Sequence, residues 1–140
     1  DLGCTAQLST PVLAAYVQSF RALQSGNAEA LERGFQALGA RQDRSAVPWA
    51  LYRQLQSILG PLLQSGADWD FAAVQVHQQA QQLIPQVMEA LGSLQPAPAT
   101  LLINRTLEGH YWSLSRLALS MPLADLLEPG VAAFEAEQPR

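Results

Sequence analysis

Lysine is absent from this chain, and all eight of its basic residues are arginines. A lysine would be needed for a Schiff base, for a P-loop, or for the phosphate-pairing position of a kinase, so these 140 residues alone contain none of the three. There is also a single cysteine, Cys4, which excludes an intrachain disulfide and a site built from several cysteines. The two histidines, His77 and His110, are too far apart for an HExxH zinc motif.

Charged residues are few, at 14%, whereas 49% of the residues are hydrophobic. This composition argues against intrinsic disorder. The net charge is −4 and the arginines are scattered, so we expect no nucleic-acid partner. No apolar run approaches the roughly 18 residues of a membrane-spanning helix, and no signal peptide is visible. We therefore expect an intracellular protein, cytoplasmic or peripheral to a membrane. The opening at Asp1-Leu2-Gly3, without a methionine, suggests a piece of a longer protein.

Leucine, alanine and glutamine dominate the sequence, and all three favour helices. The pattern predicts an all-α bundle of five or six helices that follows an irregular leader ending at Thr10, with no convincing strand. We divide this single unit, residues 1–140, as follows: leader 1–10, helices 11–94, proline-rich connector 95–99, C-terminal helix and turn 100–128, and tail 129–140.

Local signals place the helix ends. Thr10-Pro11 begins the first helix, Asn27 is a predicted N-cap of the second, and Gly39 is its predicted C′ residue. Gly60-Pro61 predicts a break after the third helix, and Pro85 predicts a kink or a split near Ile84.

The later helices are predicted mainly from apolar spacing. Asp68 is expected to cap a fourth helix, and a fifth is expected from about Ala99 to Ser120. Met121-Pro122 should end the fifth helix, with one final turn over residues 123–127 and a frayed tail from Glu135. The predicted inward face of the fifth helix comprises Ile103, Leu107, Tyr111, Leu114 and Ala118.

The first eleven residues (DLGCTAQLSTP) place an Asp-Leu-Gly tripeptide shortly before a Leu-Ser-Thr-Pro helix start. This order resembles the UbiB/AarF-type atypical kinase-like family, in which a magnesium-binding Asp-Phe-Gly-like motif precedes a Leu-Ser/Thr-Pro helix start. Residues 26–31 (GNAEAL) resemble the step that follows. Residues 101–117 (LLINRTLEGHYWSLSRL) are similar to the family's C-terminal helix, and residues 126–129 (LLEP) to its closing turn. The middle, residues 40–94, matches only in being helical.

The resemblance implies that the chain is the C-terminal helical part of a kinase-like C-lobe. The family's magnesium-binding aspartate maps onto Asp1, which would serve Mg²⁺ and ATP in the intact protein. No catalytic residue maps here, so we expect the chain alone to bind no cofactor and to be inactive. Its implied partners are the remainder of the kinase-like domain N-terminal to Asp1 and a membrane or lipid, in support of isoprenoid-quinone or lipid metabolism. Leu2 departs from the usual phenylalanine.

Other candidate residues have simpler interpretations beside a functional one. His77 and His110 are read as packing or surface residues, and Cys4 as a small apolar filler. Asp68 and Asp70 are read as helix caps. Arg105 would pair with Glu108 or reach the kinase-like core, alternatives that the spacing leaves open. The chain's tryptophans, Trp49, Trp69 and Trp112, are expected in the core, with a membrane-facing or partner-facing role as the alternative.

A second function remains open from the residues alone. A free-standing helical interaction module, with a groove for a partner helix or lipid, would have the same composition. The segment 26–31 also resembles half of a tetratricopeptide helix, without a visible repeat.

Overall fold

Most of the residues that the structure describes are helical, as the composition predicts. The computed structural model describes residues 7–42, 44–73 and 76–137, excepting the side chains of residues 76, 77, 80 and 99. Within these residues, 3₁₀ turns form at Pro61–Leu63 and at Pro98–Thr100. The helices are α1 (Thr10–Ser25), α2 (Ala28–Ala37), α3 (Trp49–Leu59), α4 (Val76–Gln82), α5 (Ile84–Ala90), α6 (Leu101–Arg116) and α7 (Leu123–Glu137).

The predicted breaks fall where the prolines are. Helix α3 ends at Leu59, and the 3₁₀ turn begins at Pro61. Helices α4 and α5 are separated only by Leu83, because Pro85 cannot donate a helical hydrogen bond. Counting α4 and α5 as one interrupted helix gives six over the described residues, so the predicted all-α bundle of five to six helices is confirmed.

Helices α1 and α2 form a closely packed hairpin. The side chain of Asn27 accepts a hydrogen bond from the backbone N–H of Ala30 at 2.9 Å, which confirms the predicted N-cap. A Cβ at Gly34 would lie only 2.2 Å from the hydroxyl oxygen of Ser19. Glycine at this position therefore sets how closely α2 approaches α1.

Among the described residues, the core comprises three small clusters of buried side chains. The first joins α1, α2 and α3 around the fully buried side chain of Tyr52, the second joins α3 to α5, and the third lies beneath α6 and α7. Their buried members are Ala22, Leu31 and Tyr52; Leu51, Leu83 and Ala90; and Leu63, Trp69 and Phe71.

The prediction that Asp68 starts a helix is wrong, because a short strand follows Asp68 directly. Strand β1 (Trp69–Asp70) pairs antiparallel with β2 (Ser120–Met121). Trp69 and Phe71 are two residues apart, and both are buried with their rings stacked at a centroid distance of 5.4 Å. Side chains on one face of an extended segment recur every second residue. The third cluster thus selects an extended chain at Trp69 and Phe71, where the sequence predicts a helix start.

The C-terminal region also departs from the prediction. Helix α6 ends at Arg116 rather than near Ser120, and Ala118 has a positive φ of 51°. The predicted last turn and the described part of the tail are instead one helix, α7, which continues through Pro129 to Glu137. A proline inside a helix costs about 3 kcal/mol, so contacts elsewhere must hold this second half of α7 in place.

Candidate functional site: the uncovered face of α6 and the polar contacts around the bundle

Helix α6 carries the apolar stripe that the sequence predicts, but the rest of the bundle covers only part of it. Tyr111 and Leu114 pack against the third cluster, whereas Leu107, in the middle of the same stripe, is 56% exposed. None of the residues described in α6 is buried. The inward assignment of Leu107 is therefore wrong, as is that of Ala118, which is exposed beyond the helix end.

The exposure of Leu107 follows from where α6 is held. The hydroxyl of Tyr16 on α1 donates to the side-chain oxygen of Asn104 at 2.9 Å. Tyr111 and Leu114 provide the second attachment, nearer the end of the helix. Leu107 lies between these two attachments, where it keeps 56% of its surface open to solvent.

Neighbouring elements add further exposed apolar side chains. A soluble protein rarely leaves a large contiguous apolar area open, and such areas mark interaction surfaces. We call the exposed apolar residues of α6 and its flanks, which lie on more than one side of the helix, the α6 face: Leu101, Leu102, Leu107, Trp112, Leu117 and Leu119. Helix α5 also exposes Ile84, Val87, Met88 and Leu91, and α7 exposes Leu126 and Leu127.

The three tryptophans divide between the core and the surface. Trp69 is 7% exposed, as a core residue should be, whereas Trp49 and Trp112 are 39% and 44% exposed. Trp112 lies on α6 beside Tyr111, with the two rings at 5.5 Å in an edge-to-face arrangement. The expectation of core packing thus holds only for Trp69.

Asp1, the residue predicted to bind a metal, lies outside the described residues. So do Cys4 and the side chain of His77, while His110 is exposed on α6. Within residues 7–42, 44–73 and 76–137, no group of three or more His, Cys, Asp or Glu side chains could hold a metal ion. No helix in the same part of the chain has the length and apolar character needed to cross a membrane.

The two aspartates near β1 have different roles. The carboxylate of Asp70 accepts from the backbone N–H groups of Ala72 and Ala73, both at 2.9 Å, so this residue caps the turn after the strand. Asp68 is exposed ahead of the strand and does not begin a helix. The capping interpretation is thus supported for Asp70, at a turn rather than at a helix start.

A buried polar network joins α2 to the loop after it. The guanidinium of Arg41 lies 2.9 Å from the carboxylate of Glu32, and both side chains are at most 8% exposed. Arg41 also donates to the backbone oxygens of Ser93 and Ala46, and Tyr52 donates its hydroxyl to Glu32. Burial, together with the neighbouring carboxylate, raises the pKa of Tyr52.

This network holds α2, α3 and the loop segments at Ala46 and Ser93 together, and we call it the structural joint. The Glu32 carboxylate also accepts from Gln36, so each of its oxygens has partners inside the protein. A buried charge is tolerated only when it is paired and hydrogen-bonded, as here. From its sequence, the polar segment 40–45 is predicted to be a solvated loop. The sequence gives no sign that Arg41 pairs with Glu32, because a separation of nine residues is not the three or four that brings side chains together on a helix.

A second arginine connects the two ends of the described chain. Arg21 on α1 donates to both carboxylate oxygens of Glu128 at 2.7 Å and to those of Glu135 at 3.0 and 2.8 Å. These bonds lower the pKa of both glutamates and raise that of Arg21. Neither glutamate was a candidate from the sequence, because the pairs span more than 100 residues.

An apolar groove of about 300 Å³ opens between α1, α2 and α3. Its two hydroxyl-bearing residues direct their oxygens elsewhere, since Ser19 donates to the backbone oxygen of Ala15 and Tyr16 donates to Asn104. The groove therefore offers an almost purely apolar lining. It is lined by Tyr16, Ser19, Phe20, Leu23, Leu31, Phe35, Leu38, Leu55 and Leu59.

Comparison with known proteins gives this chain no relative: no family model, no curated protein and no solved structure matches it.

Proposed function

We propose that this chain is the C-terminal helical region of a UbiB/AarF-like, kinase-like ATP-binding protein. In this proposal the helices form a scaffold, and the α6 face packs against the nucleotide-binding remainder of the domain. Asp1 would be a ligand of Mg²⁺, which neutralises charge on the phosphates of ATP during transfer. The intact protein would be intracellular, at a membrane or in the cytoplasm, and would support isoprenoid-quinone or lipid metabolism.

The uncovered α6 face is the observation that carries this proposal. All of its residues except Leu119 lie on the segment 101–117, whose sequence resembles the family's C-terminal helix. A helix with this much apolar surface is usually stabilised by packing rather than by its intrinsic propensity. Leu107 and Trp112 expose 56% and 44% of their surfaces in the chain alone. A neighbouring domain core is the kind of surface that would cover them.

Nucleotide binding by the natural full-length gene product tests the assignment of Asp1. Asp1→Asn keeps the size of the side chain but removes the charge that magnesium prefers, so Mg²⁺-dependent ATP binding should weaken strongly in calorimetric titration. Asp68→Asn is the matched control, because Asp68 is exposed and has no assigned contact with nucleotide. The assignment would be wrong if both variants bound Mg²⁺-ATP like the wild type, or if only Asp68→Asn lost binding.

The packing of α6 has its own test in the same gene product. Leu107→Asp should leave the 140-residue chain folded, because the side chain is exposed there, but should destabilise the full-length protein in which the α6 face is covered. Thr106→Asp places the same charge on the adjacent exposed position of α6 and serves as the control. Equal thermal stability of the two full-length variants would contradict packing through Leu107.

A second candidate function rests on the groove between α1, α2 and α3. A free-standing helical module could take an apolar partner helix or a lipid chain there, because the lining groups have no free polar atoms to satisfy. Saturable binding of a single-chain fatty acid, weakened by Leu38→Asp at the groove, together with no Mg²⁺-ATP binding by the natural gene product, would favour this alternative.

A further inference from the structure

Helix α7 is firmly attached at its beginning. Leu123 packs against the third cluster and Ala124 is 2% exposed. The carboxylate of Asp125 accepts from the hydroxyl of Ser65 at 2.6 Å and from the backbone N–H of Gly66 at 2.9 Å. Residues 123–125 are thus fixed by packing and by hydrogen bonds to the segment that follows the 3₁₀ turn.

The second half of α7 is attached quite differently. Pro129 removes one helical hydrogen bond and Gly130 follows it directly, so the helix is weakest between the two halves. A Cβ at Gly130 would meet nothing within 4 Å, so no close packing requires glycine there. Residues 131–137 include no buried residue, and only Val131 and Phe134 are half-buried.

Arg21 supplies the polar attachment of this half. Its bonds to Glu128 lie just before the proline, and its bonds to Glu135 lie almost two turns beyond it. A single guanidinium therefore holds both sides of the weak point. The side chain is 34% exposed, so water and salt can compete for these bonds.

A groove of about 380 Å³ lies between the second half of α7 and the α1–α2 hairpin. Small apolar side chains, Ala14, Val17, Ala22 and Ala30, line it on one side, and Phe134 lies on the other. The second half of α7 thus lies over an apolar surface without filling it, which limits the packing energy that holds it there.

We propose that residues 131–137 form a strap that hinges at Pro129-Gly130 and that Arg21 holds closed over the α1–α2 groove. Opening the strap breaks the bonds to Glu135 and exposes the apolar groove, while residues 123–125 stay anchored. In the closed state, Phe134 of the strap itself lies at the rim of the groove. The strap is thus a conformational device that controls access to one apolar surface, independent of any nucleotide.

Hydrogen exchange of the chain, followed by mass spectrometry, tests the strap. Arg21→Gln should accelerate exchange several-fold in residues 131–137 while residues 123–128 keep their protection, and it should increase the fluorescence of an added apolar dye such as ANS. Gly130→Ala should slow exchange in residues 131–137, because alanine stiffens the hinge without a clash. Arg33→Gln, at an exposed position on α2, is the matched control and should change neither reading.

Two results would overturn the proposal. One is exchange that rises equally along all of α7 in Arg21→Gln, since the helix would then open as a whole rather than at a hinge. The other is unchanged exchange of residues 131–137 in both Arg21→Gln and Gly130→Ala. If Arg21→Gln fails to fold, wild type at high salt, which screens the same ion pairs, must show the local acceleration, and its absence counts against the strap.

Discussion

A graded series of leucine-to-alanine substitutions tests how the bundle distributes its packing. Leu31 is 1% exposed at the centre of the first cluster, Leu114 is half-buried against the third, and Leu107 is 56% exposed on α6. All three side chains are the same size. Differences among their effects on the free energy of unfolding therefore report burial rather than chemistry.

The expected magnitudes follow from these environments. Leu31→Ala removes fully buried methyl groups beside Tyr52 and Ala22 and should cost about 3 to 5 kcal/mol, since the close α1–α2 hairpin cannot collapse into the cavity. Leu114→Ala should cost about 1 to 2 kcal/mol, in line with its partial burial. Leu107→Ala should change stability by less than about 0.5 kcal/mol, as is usual for exposed positions.

Urea denaturation of the chain, monitored by circular dichroism, measures all three. The m-value should stay constant across the series, because none of the substitutions alters the surface exposed on unfolding by much. A cost above about 2 kcal/mol for Leu107→Ala would show that α6 buries this stripe after all, and the α6 face would have to be redrawn. A cost for Leu31→Ala no larger than that for Leu107→Ala would refute the assignment of the core.

Gly34→Ala should destabilise the chain by about 1 to 3 kcal/mol, because the new Cβ would lie 2.2 Å from the hydroxyl oxygen of Ser19, and combination with Ser19→Ala should recover most of the loss in thermal denaturation. Arg41→Met should cost about 3 to 5 kcal/mol by leaving Glu32 buried without its cation; a urea midpoint like that of the wild type would contradict the structural joint. The two glutamates that bind Arg21 have pKa values lowered by folding, so their contribution to stability is complete above their unfolded pKa and is lost as pH falls through the folded values. Denaturation between neutral and acid pH should therefore show a smaller acid-induced loss of stability in Arg21→Gln than in the wild type.

The positions where helices begin, end and break can be predicted from the sequence, because the effects that set them act between residues close together in the chain. Asn27 caps α2 through a bond that spans three residues, and Gly39 has the positive φ of 73° expected of a residue just after a helix. Pro61 and Pro85 interrupt helices because the ring removes a backbone donor at its own position. None of these effects depends on what lies elsewhere in the chain.

The features that the sequence did not predict depend on contacts between residues far apart in the chain. Trp69 is extended because it pairs with strand β2, about fifty residues later, and packs in the third cluster. Pro129 remains inside α7 although proline usually ends a helix, and the bonds of Arg21 on α1 span it. The role of Arg41 depends on Glu32 and on the turn at Ser93, partners that only the folded chain brings together. Helix periodicity carries no information about such partners.

Helix α6 shows that an amphipathic helix can be predicted from its sequence without its depth of burial being predictable. Its spacing of Ile103, Leu107, Tyr111 and Leu114 predicts a helix correctly, because a periodic apolar stripe is a property of the helix itself. The depth to which that stripe is buried depends on the surface it meets, and here only the end of the helix meets the third cluster. An isolated helix of this length is only marginally stable in water. The stability of α6 must therefore come largely from its contacts with the bundle, among them those of Asn104, Tyr111 and Leu114, and any partner that covers Leu107 would stabilise the helix as it binds. Folding and recognition would thus be coupled through the same residues.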